Sequence, residues 1–342
     1  MSDLPILAVT LGDPVGIGPE IALKTLAEPE ALQMAHGVAV GDAIVLERLV
    51  RHLGLHLEIN PIATVADARF TTGVIDVLNL GVVTEDLPWG EVNATAGAAA
   101  VGAIEVATRL ALAGEVDAVV TAPINKEAIW AAGSQHLGHT EMLGELTGST
   151  RFNTMFWVSG LKIFFATRHL SLREAINQIT RENIEHAIRE AYTALEVFGT
   201  EKPRLAVAAL NPHGGENGKF GDEEIIAIAP AVAAARVAGL DVVGPIPADS
   251  VFHQGIQGRF DGVLSLYHDQ GHIASKTYDF DGTVSVTVGL PILRTSVDHG
   301  TAFDIAGTGR ASHGTMRAAF KAAATLAPYA RKLPVIYPPG LR

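Results

Sequence analysis

Short β-branched runs alternate along this chain with Ala- and Leu-rich stretches of helical spacing, and nothing else constrains its fold as tightly. Strands are predicted over residues 6–10, 38–40, 74–80, 116–121, 155–158, 163–167, 205–210 and 260–266. Helices are predicted over 19–26, 44–53, 93–113, 222–239 and 315–326, with another starting at Thr180 and a Pro-rich tail after the last. Such alternation implies parallel strands joined by helical crossovers, and so an α/β fold. Residues 155–167 depart from it and read as a hairpin around Ser159-Gly160, after which Ser171 and Glu174 form a capping box. Residues 244–249 read as a rigid Pro-containing turn. A chain of 342 residues exceeds what one core usually serves, so two domains are expected.

In parallel α/β sheets the loops at the carboxyl ends of strands share one edge, where ligands bind. Five polar motifs here directly follow a strand-like run, at Asp13, Lys126, His169, His213 and His268. The densest stretch is 264–309. One apolar run stops in Tyr267-His268-Asp269-Gln270-Gly271-His272, and a second, 284–290, leads to Asp298-His299-Gly300-Thr301. Histidines and carboxylates side by side make a poor core, because burying them unpaired is unfavourable. They make a good site.

Of the 13 histidines, His169, His213 and His268 each sit just past a strand end. Three neutral imidazoles form a divalent-metal site with a position left open for substrate. Taken singly, each would be read as an ordinary polar residue. His36, His52, His56 and His186 are expected at the surface, and His253, His272 and His313 fit either role. Lys126, in a helix's first turn, opposes the helix dipole and is suited to facing an anion. The turn from Gly12 to Glu20 starts a helix whose free N–H groups favour an anion, but its glycine spacing is not the dinucleotide fingerprint.

Composition removes several function classes. With 25 Lys and Arg against 37 Asp and Glu, the net charge of −12 argues against a nucleic-acid groove. There is no cysteine, which excludes disulfides, thiolate metal sites and cysteine nucleophiles. The N-terminus, Met1-Ser2-Asp3-Leu4-Pro5, lacks the basic and apolar regions of a signal peptide. The Ala-rich segments 94–112 and 225–240 carry Glu105, Arg109, Pro230 and Arg236, and read as buried amphipathic helices rather than membrane spans. A cytoplasmic location is expected.

Several motifs in order resemble the 4-hydroxythreonine-4-phosphate dehydrogenase (PdxA) family of pyridoxal phosphate biosynthesis. They are Gly12-Asp13-Pro14 with Gly16-Ile17-Gly18-Pro19-Glu20, residues 121–127, Gly138-His139-Thr140-Glu141, Asn211-Pro212-His213 with Gly215-Glu216, Pro247-Ala248-Asp249, residues 267–271, and Gly289-Leu290-Pro291 with residues 294–301. The resemblance runs along essentially the whole chain. It implies His169, His213 and His268 as metal ligands, and His139, Thr140, Lys276 and Arg294 as substrate contacts. It also implies a homodimer whose metal site draws ligands from both subunits. Zinc is the first expectation for the metal, with cobalt, magnesium, manganese and nickel as alternatives. Where the biosynthetic enzymes carry a substrate-contacting asparagine, nine residues before the arginine, this chain has Ser285. That departure suggests a different substrate, and the family includes catabolic relatives acting on 4-phospho-D-threonate, 4-phospho-D-erythronate or a terephthalate dihydrodiol.

Residues 298–309 resemble the adenosine-binding loop of isocitrate and isopropylmalate dehydrogenases, which bind their cofactor without a Rossmann fingerprint. This implies His299, Gly300, Ala302, Asp304 and Gly307 as contacts to NAD or NADP. It also implies two α/β/α domains with the active site in the cleft between them. The boundaries are placed at 1–123 plus 304–342 for the first domain and 124–303 for the second, the latter carrying the metal ligands and dimer interface.

The expectation is a metal-dependent, NAD(P)-linked, decarboxylating dehydrogenase of a small anionic secondary alcohol, of the 4-phosphohydroxy-L-threonine type. The metal would lower the hydroxyl pKa and stabilise the enolate formed on loss of carbon dioxide. Arg294, Lys276 and Lys126 are the candidates for holding carboxylate or phosphate. Lys276, Asp249 and Asp269 are candidate general bases. The rivals are a phosphate acetyltransferase-like acyltransferase, which shares the architecture, and a non-catalytic binding protein. Fold alone does not separate them.

Overall fold

The computed structural model describes residues 4–150 and 152–330. The first three residues of the N-terminus read above, and the Pro-rich tail from 331 on, lie outside the described residues. Twelve strands occur among them: β1 (Ile6–Thr10), β2 (His36–Gly41), β3 (Glu58–Ile62), β4 (Val74–Asn79), β5 (Ala118–Thr121), β6 (Asn153–Val158), β7 (Leu161–Phe165), β8 (Leu205–Ala208), β9 (Val242–Ile246), β10 (Gly262–Ser265), β11 (Val284–Val288) and β12 (Arg294–Ser296). The chain divides into two compact units, one of residues 1–153 with 284–342 and one of residues 154–283. Segments 124–153 and 284–303, placed in the second domain from sequence, pack with the first unit instead. Register explains the second of these: Arg294, Thr295 and Ser296 of β12 pair in parallel with Val119, Val120 and Thr121 of β5.

In the first unit the strand order is β3-β4-β2-β1-β5-β12-β11. All neighbours described are parallel except β11, which runs antiparallel to β12. β1 and β5 are apolar at nearly every position and almost wholly buried, as strands covered on both faces must be. The Ala94–Ala113 helix covers one face. Asn93 caps it by accepting from the Thr95 and Ala96 N–H groups, and Gly114 ends it at φ 74°. It is long and apolar enough to cross a membrane, yet Ala100, Ala103, Ile104 and Ala107 sit in the core beside Val38, Val40 and Val119. Gly97 allows this helix to lie against the Lys126–Ala131 helix, since a Cβ there would stand 2.0 Å from the Ala128 carbonyl oxygen.

In the second unit the order is β6-β7-β10-β8-β9, with the β6–β7 hairpin antiparallel and the other pairs parallel. Its core joins Phe156, Ile163, Phe165, Ala206, Val251 and Val263. The capping box forms as expected, Ser171 accepting from Glu174 N–H while Glu174 accepts from Ser171. Residues 244–249 differ from the expected turn: residues up to Ile246 belong to β9, with a cis Gly244–Pro245 bond, and a helix, Ala248–Ile256, follows at once. The cluster at 268–272 is likewise the start of a helix, His268–Tyr278, not a loop.

Candidate functional site

In the second unit, His169, His268 and His213 follow β7, β10 and β8, which are neighbouring parallel strands. One sheet edge therefore carries all three. The His169 and His268 ring centroids are 6.0 Å apart. His268 Nδ1 lies 2.6 Å from Asp269 Oδ1, and its ring stacks on His272 at 3.6 Å and 13°. His272 donates its Nδ1–H to the His268 carbonyl and meets the edges of Phe156 and Phe165. A carboxylate on Nδ1 leaves Nε2 as the nitrogen available to a metal, were one bound there. Gln270, buried, accepts from Leu266 N–H and donates to the Ala209 carbonyl, tying the exits of β10 and β8 together.

The three-histidine cluster does not assemble in one chain: among the described residues no group of three His, Cys, Asp or Glu side chains could hold a metal. His213 also stands on an unusual turn. Residues 213–217 all have positive φ, and three of them, His213 (53°), Glu216 (44°) and Asn217 (56°), are not glycine. A left-handed residue costs roughly 1–2 kcal/mol, and such strain concentrates at functional positions. Glu224 anchors the start of the turn. Its carboxylate accepts from the Leu210 and Asn211 N–H groups at 2.8 and 2.7 Å and from Asn211 Nδ2. Burial would raise its pKa, but those donors outweigh burial and hold it below the usual carboxylate value. The backbone at Glu224–Ile228 is a short π-helix, so the expected single 222–239 helix is irregular at its start.

His268, His272 and Lys276 are four residues apart and so share one stripe of their helix. Lys276 Nζ lies 5.5 Å from the Phe280 ring. Asp269, a candidate base, is engaged with His268, and Asp249 is exposed in the first turn of the Ala248–Ile256 helix.

In the first unit, Arg294 is only 5% exposed. Its Nε donates to Thr121 Oγ1 at 3.0 Å and its Nη1 to Thr287 Oγ1 at 3.1 Å. Burial draws its pKa down to about 10, with Asp298 opposing, so it remains charged at pH 7. Ser285 pairs with Ser296 across β11 and β12, as Thr287 pairs with Arg294, and Ser296 pairs with Thr121 of β5. Thr121 also donates to Ser296 Oγ at 2.9 Å. Ser285, Ser296 and Thr121 thus form a hydroxyl row beside a buried guanidinium, all on rigid strands. Thr121, Thr287 and Ser296 went unassigned from sequence, although the alternation of β11, Val-Ser-Val-Thr-Val, was a signal for a polar face.

His139 begins the His139–Thr147 helix, and its Nε2 is closed off from solvent with no partner. Burial, and secondly the Arg294 charge, hold its pKa well below the usual 6.5. It is neutral at pH 7. Thr140 follows it, half-buried, while Lys126 is exposed beside Asn125, which caps the Lys126–Ala131 helix. Residues 299–307 fold as a tight loop. His299 Nδ1 faces the Gly300 carbonyl at 3.0 Å, Ala302 is left-handed at φ 41°, and Asp304 is exposed in the turn Phe303–Ile305. The Gly307 backbone lies against the Trp89 ring. His36, expected at the surface, instead stacks on Phe70 at 4.4 Å with its Nδ1 buried, because it opens β2 rather than flanking a helix.

Asp13 is wholly buried. Its Oδ1 accepts from Val15 N–H at 3.0 Å, the Asn125 N–H also bonds the carboxylate, and Oδ2 has no partner. Burial raises its pKa from 3.8 to about 6, against those two N–H groups. A carboxyl with a raised native pKa favours folding at low pH, and that contribution fades as pH rises through 6. By linkage, ionised Asp13 weakens the fold by up to about 3 kcal/mol at neutral pH. Asp13→Asn retains the Oδ1 acceptor, so it should match the parent at pH 4 and exceed it by up to about 3 kcal/mol at pH 7.5 in urea unfolding. An equal difference at both pH values would contradict this.

Comparison with known proteins agrees with the geometry. The family described as "Pyridoxal phosphate biosynthetic protein PdxA" matches residues 33–323. A protein of Cutibacterium acnes named "Putative D-threonate 4-phosphate dehydrogenase" is 54% identical over 338 residues, covering 98% of this chain and 97% of its own. The crystal structure of a 4-hydroxythreonine-4-phosphate dehydrogenase from Klebsiella pneumoniae superposes with a TM-score of 0.87 at 46% identity, covering 94% of this chain and 99% of that one. A terephthalate 1,2-cis-dihydrodiol dehydrogenase from Burkholderia xenovorans gives 0.64 at 32% identity, covering 94% and 98%. These homologues are dehydrogenases, that is, oxidoreductases, and the chain belongs to the PdxA family.

Proposed function

We propose that the protein is an NAD(P)-linked, metal-dependent dehydrogenase of a small 4-phosphorylated hydroxy acid, with D-threonate 4-phosphate preferred over 4-phosphohydroxy-L-threonine. The carrying observation is the buried Arg294 guanidinium, whose described hydrogen bonds go to two neutral hydroxyls. A buried cation so held is prepared for an anion. Ser285 supports the choice of substrate. The serine hydroxyl, shorter than an asparagine, changes the reach and shape of that wall, and it donates to and accepts from an alcohol as readily as it accepts from an ammonium group. The homologues at 54% identity carry the threonate name, and those at 32% the dihydrodiol name.

When bound, NAD(P) takes up hydride and a divalent metal acidifies the alcohol. The residues of this chain bind and orient. Arg294, with His139 and Thr140, holds the substrate anion, and Lys126 is a further candidate cation for it. His268, oriented by Asp269, and His169 fit a metal in donor chemistry, and His213 completes the set from a second copy. Lys276 receives the hydroxyl proton, being on the same helical stripe as His268. Decarboxylation of the resulting β-keto acid follows. The loop around His299, Gly300, Ala302, Asp304 and Gly307 receives the adenosine of the cofactor. Exposed apolar side chains near the three histidines, Leu170, Leu172, Phe220, Ile226 and Ile273, support a homodimer covering that edge. A monomeric mass by light scattering would remove the homodimer. A cytoplasmic location accompanies this proposal.

Initial rates with D-threonate 4-phosphate and 4-phosphohydroxy-L-threonine test the substrate choice. A kcat/KM at least tenfold higher for the threonate, about 1.4 kcal/mol, is expected. Equal or reversed preference would overturn it.

A further inference from the structure

An ion pair between a buried carboxylate and a partly exposed lysine grips the far end of the proposed cofactor loop. Glu20, 1% exposed, lies one turn before Lys24 on the Gly18–Ala27 helix, and their side chains meet at 2.7 Å. Both also reach the same short segment, residues 309–311. Glu20 Oε2 accepts from Gly309 N–H at 3.2 Å and Oε1 from Ala311 N–H at 2.9 Å. Lys24 Nζ donates to the Gly309 carbonyl at 2.8 Å and the Ala311 carbonyl at 2.9 Å. Two side chains therefore satisfy four backbone groups of one turn, as a neighbouring strand would. The other end of the loop is tied to the same helix start, where Ile17 N–H donates to the Thr301 carbonyl at 3.0 Å.

We infer that Glu20 and Lys24 are positioning residues for the cofactor loop: their ion pair sets where residues 302–307 stand, and so the affinity for the dinucleotide. This rests on the assignment of the 299–307 loop to NAD(P). Satisfying backbone groups with a fixed ion pair holds a loop that has no ladder of its own. Without it, binding would have to order the loop, and affinity would fall accordingly.

The test measures NAD(P) dissociation constants by calorimetry on the full chain, with steady-state KM values for both substrates, for Glu20→Gln, Lys24→Met and Asp304→Ala. Lys24→Met keeps both Glu20 bonds to the backbone, and decides the matter if Glu20→Gln does not fold. The inference expects Kd and KM for the dinucleotide to rise about tenfold or more in the Glu20 and Lys24 variants. KM for the phosphorylated substrate, and kcat at saturating dinucleotide, should stay within twofold. A structural role alone would move both KM values together, or neither, and would overturn the inference. If Asp304→Ala weakens the dinucleotide but folded Glu20 and Lys24 variants bind normally, the clamp is wrong and the loop assignment stands. If none of the three changes binding, the loop assignment fails, and the clamp's role with it.

Discussion

Arg294→Lys should lower kcat/KM for the phosphorylated substrate by two to three orders of magnitude, about 3–4 kcal/mol, with the loss mainly in KM. Arg294 is held by two hydroxyls on neighbouring strands, and a planar fork is what those partners fit. An ammonium supplies the charge but not the fork, and it is more strongly hydrated, so burial at 5% exposure weighs more heavily on it. It would also leave Thr121 and Thr287 without their guanidinium donor. Steady-state kinetics over a wide substrate range decide the point, with a urea melt as control. A folded variant whose KM stays within threefold of the parent would show that Arg294 does not hold the anion.

Gly97→Ala should destabilise the protein by about 3 kcal/mol or more, beyond the usual range for one added methyl. Alanine favours a helix over glycine by about 1 kcal/mol, so propensity alone predicts the opposite sign. Sterics win. The new Cβ would stand 2.0 Å from the Ala128 carbonyl oxygen, 2.3 Å from its carbon and 2.8 Å from Ile129 N. Those are backbone atoms of the Lys126–Ala131 helix and cannot rotate aside. The Asn125 turn before that helix bonds Asp13, and Pro123 accepts from Asp13 N–H, so a displaced helix disturbs the ligand edge as well. Denaturant unfolding measures the first effect. A variant as stable as the parent would mean that the two helices part without cost.

Much of this architecture is written in local signals. β1, β2, β4, β5 and the Ser171 box all formed where short-range chemistry asked for them. Two of the strands that escaped notice, β3 and β9, each end the strand order of their own unit and contain Pro61 and Pro245. Proline is tolerated at such edges and read as a turn elsewhere. The His268–Tyr278 helix was hidden for another reason. Its buried side is Gln270, Gly271 and Ser275, so it shows no apolar stripe for periodicity to find.

The placement of the candidate histidines after strands was legible in the sequence, and the hydroxyls beside Arg294 were not. Histidines after strands stand out, whereas the hydroxyl row of Thr121, Ser285 and Ser296 becomes visible only through β5–β12–β11 register. That register joins residues more than 160 positions apart, and no local pattern encodes it. The carboxyl of Asp13 was noticed as part of a turn, but its burial and its unpartnered oxygen depend on packing.

The most direct test of the account is NADH or NADPH formation at 340 nm from D-threonate 4-phosphate, with an added divalent metal and again after EDTA. Turnover that EDTA abolishes and metal restores, and that His268→Ala lacks, is the predicted result. Undiminished turnover in EDTA, or full activity in His268→Ala, would contradict it.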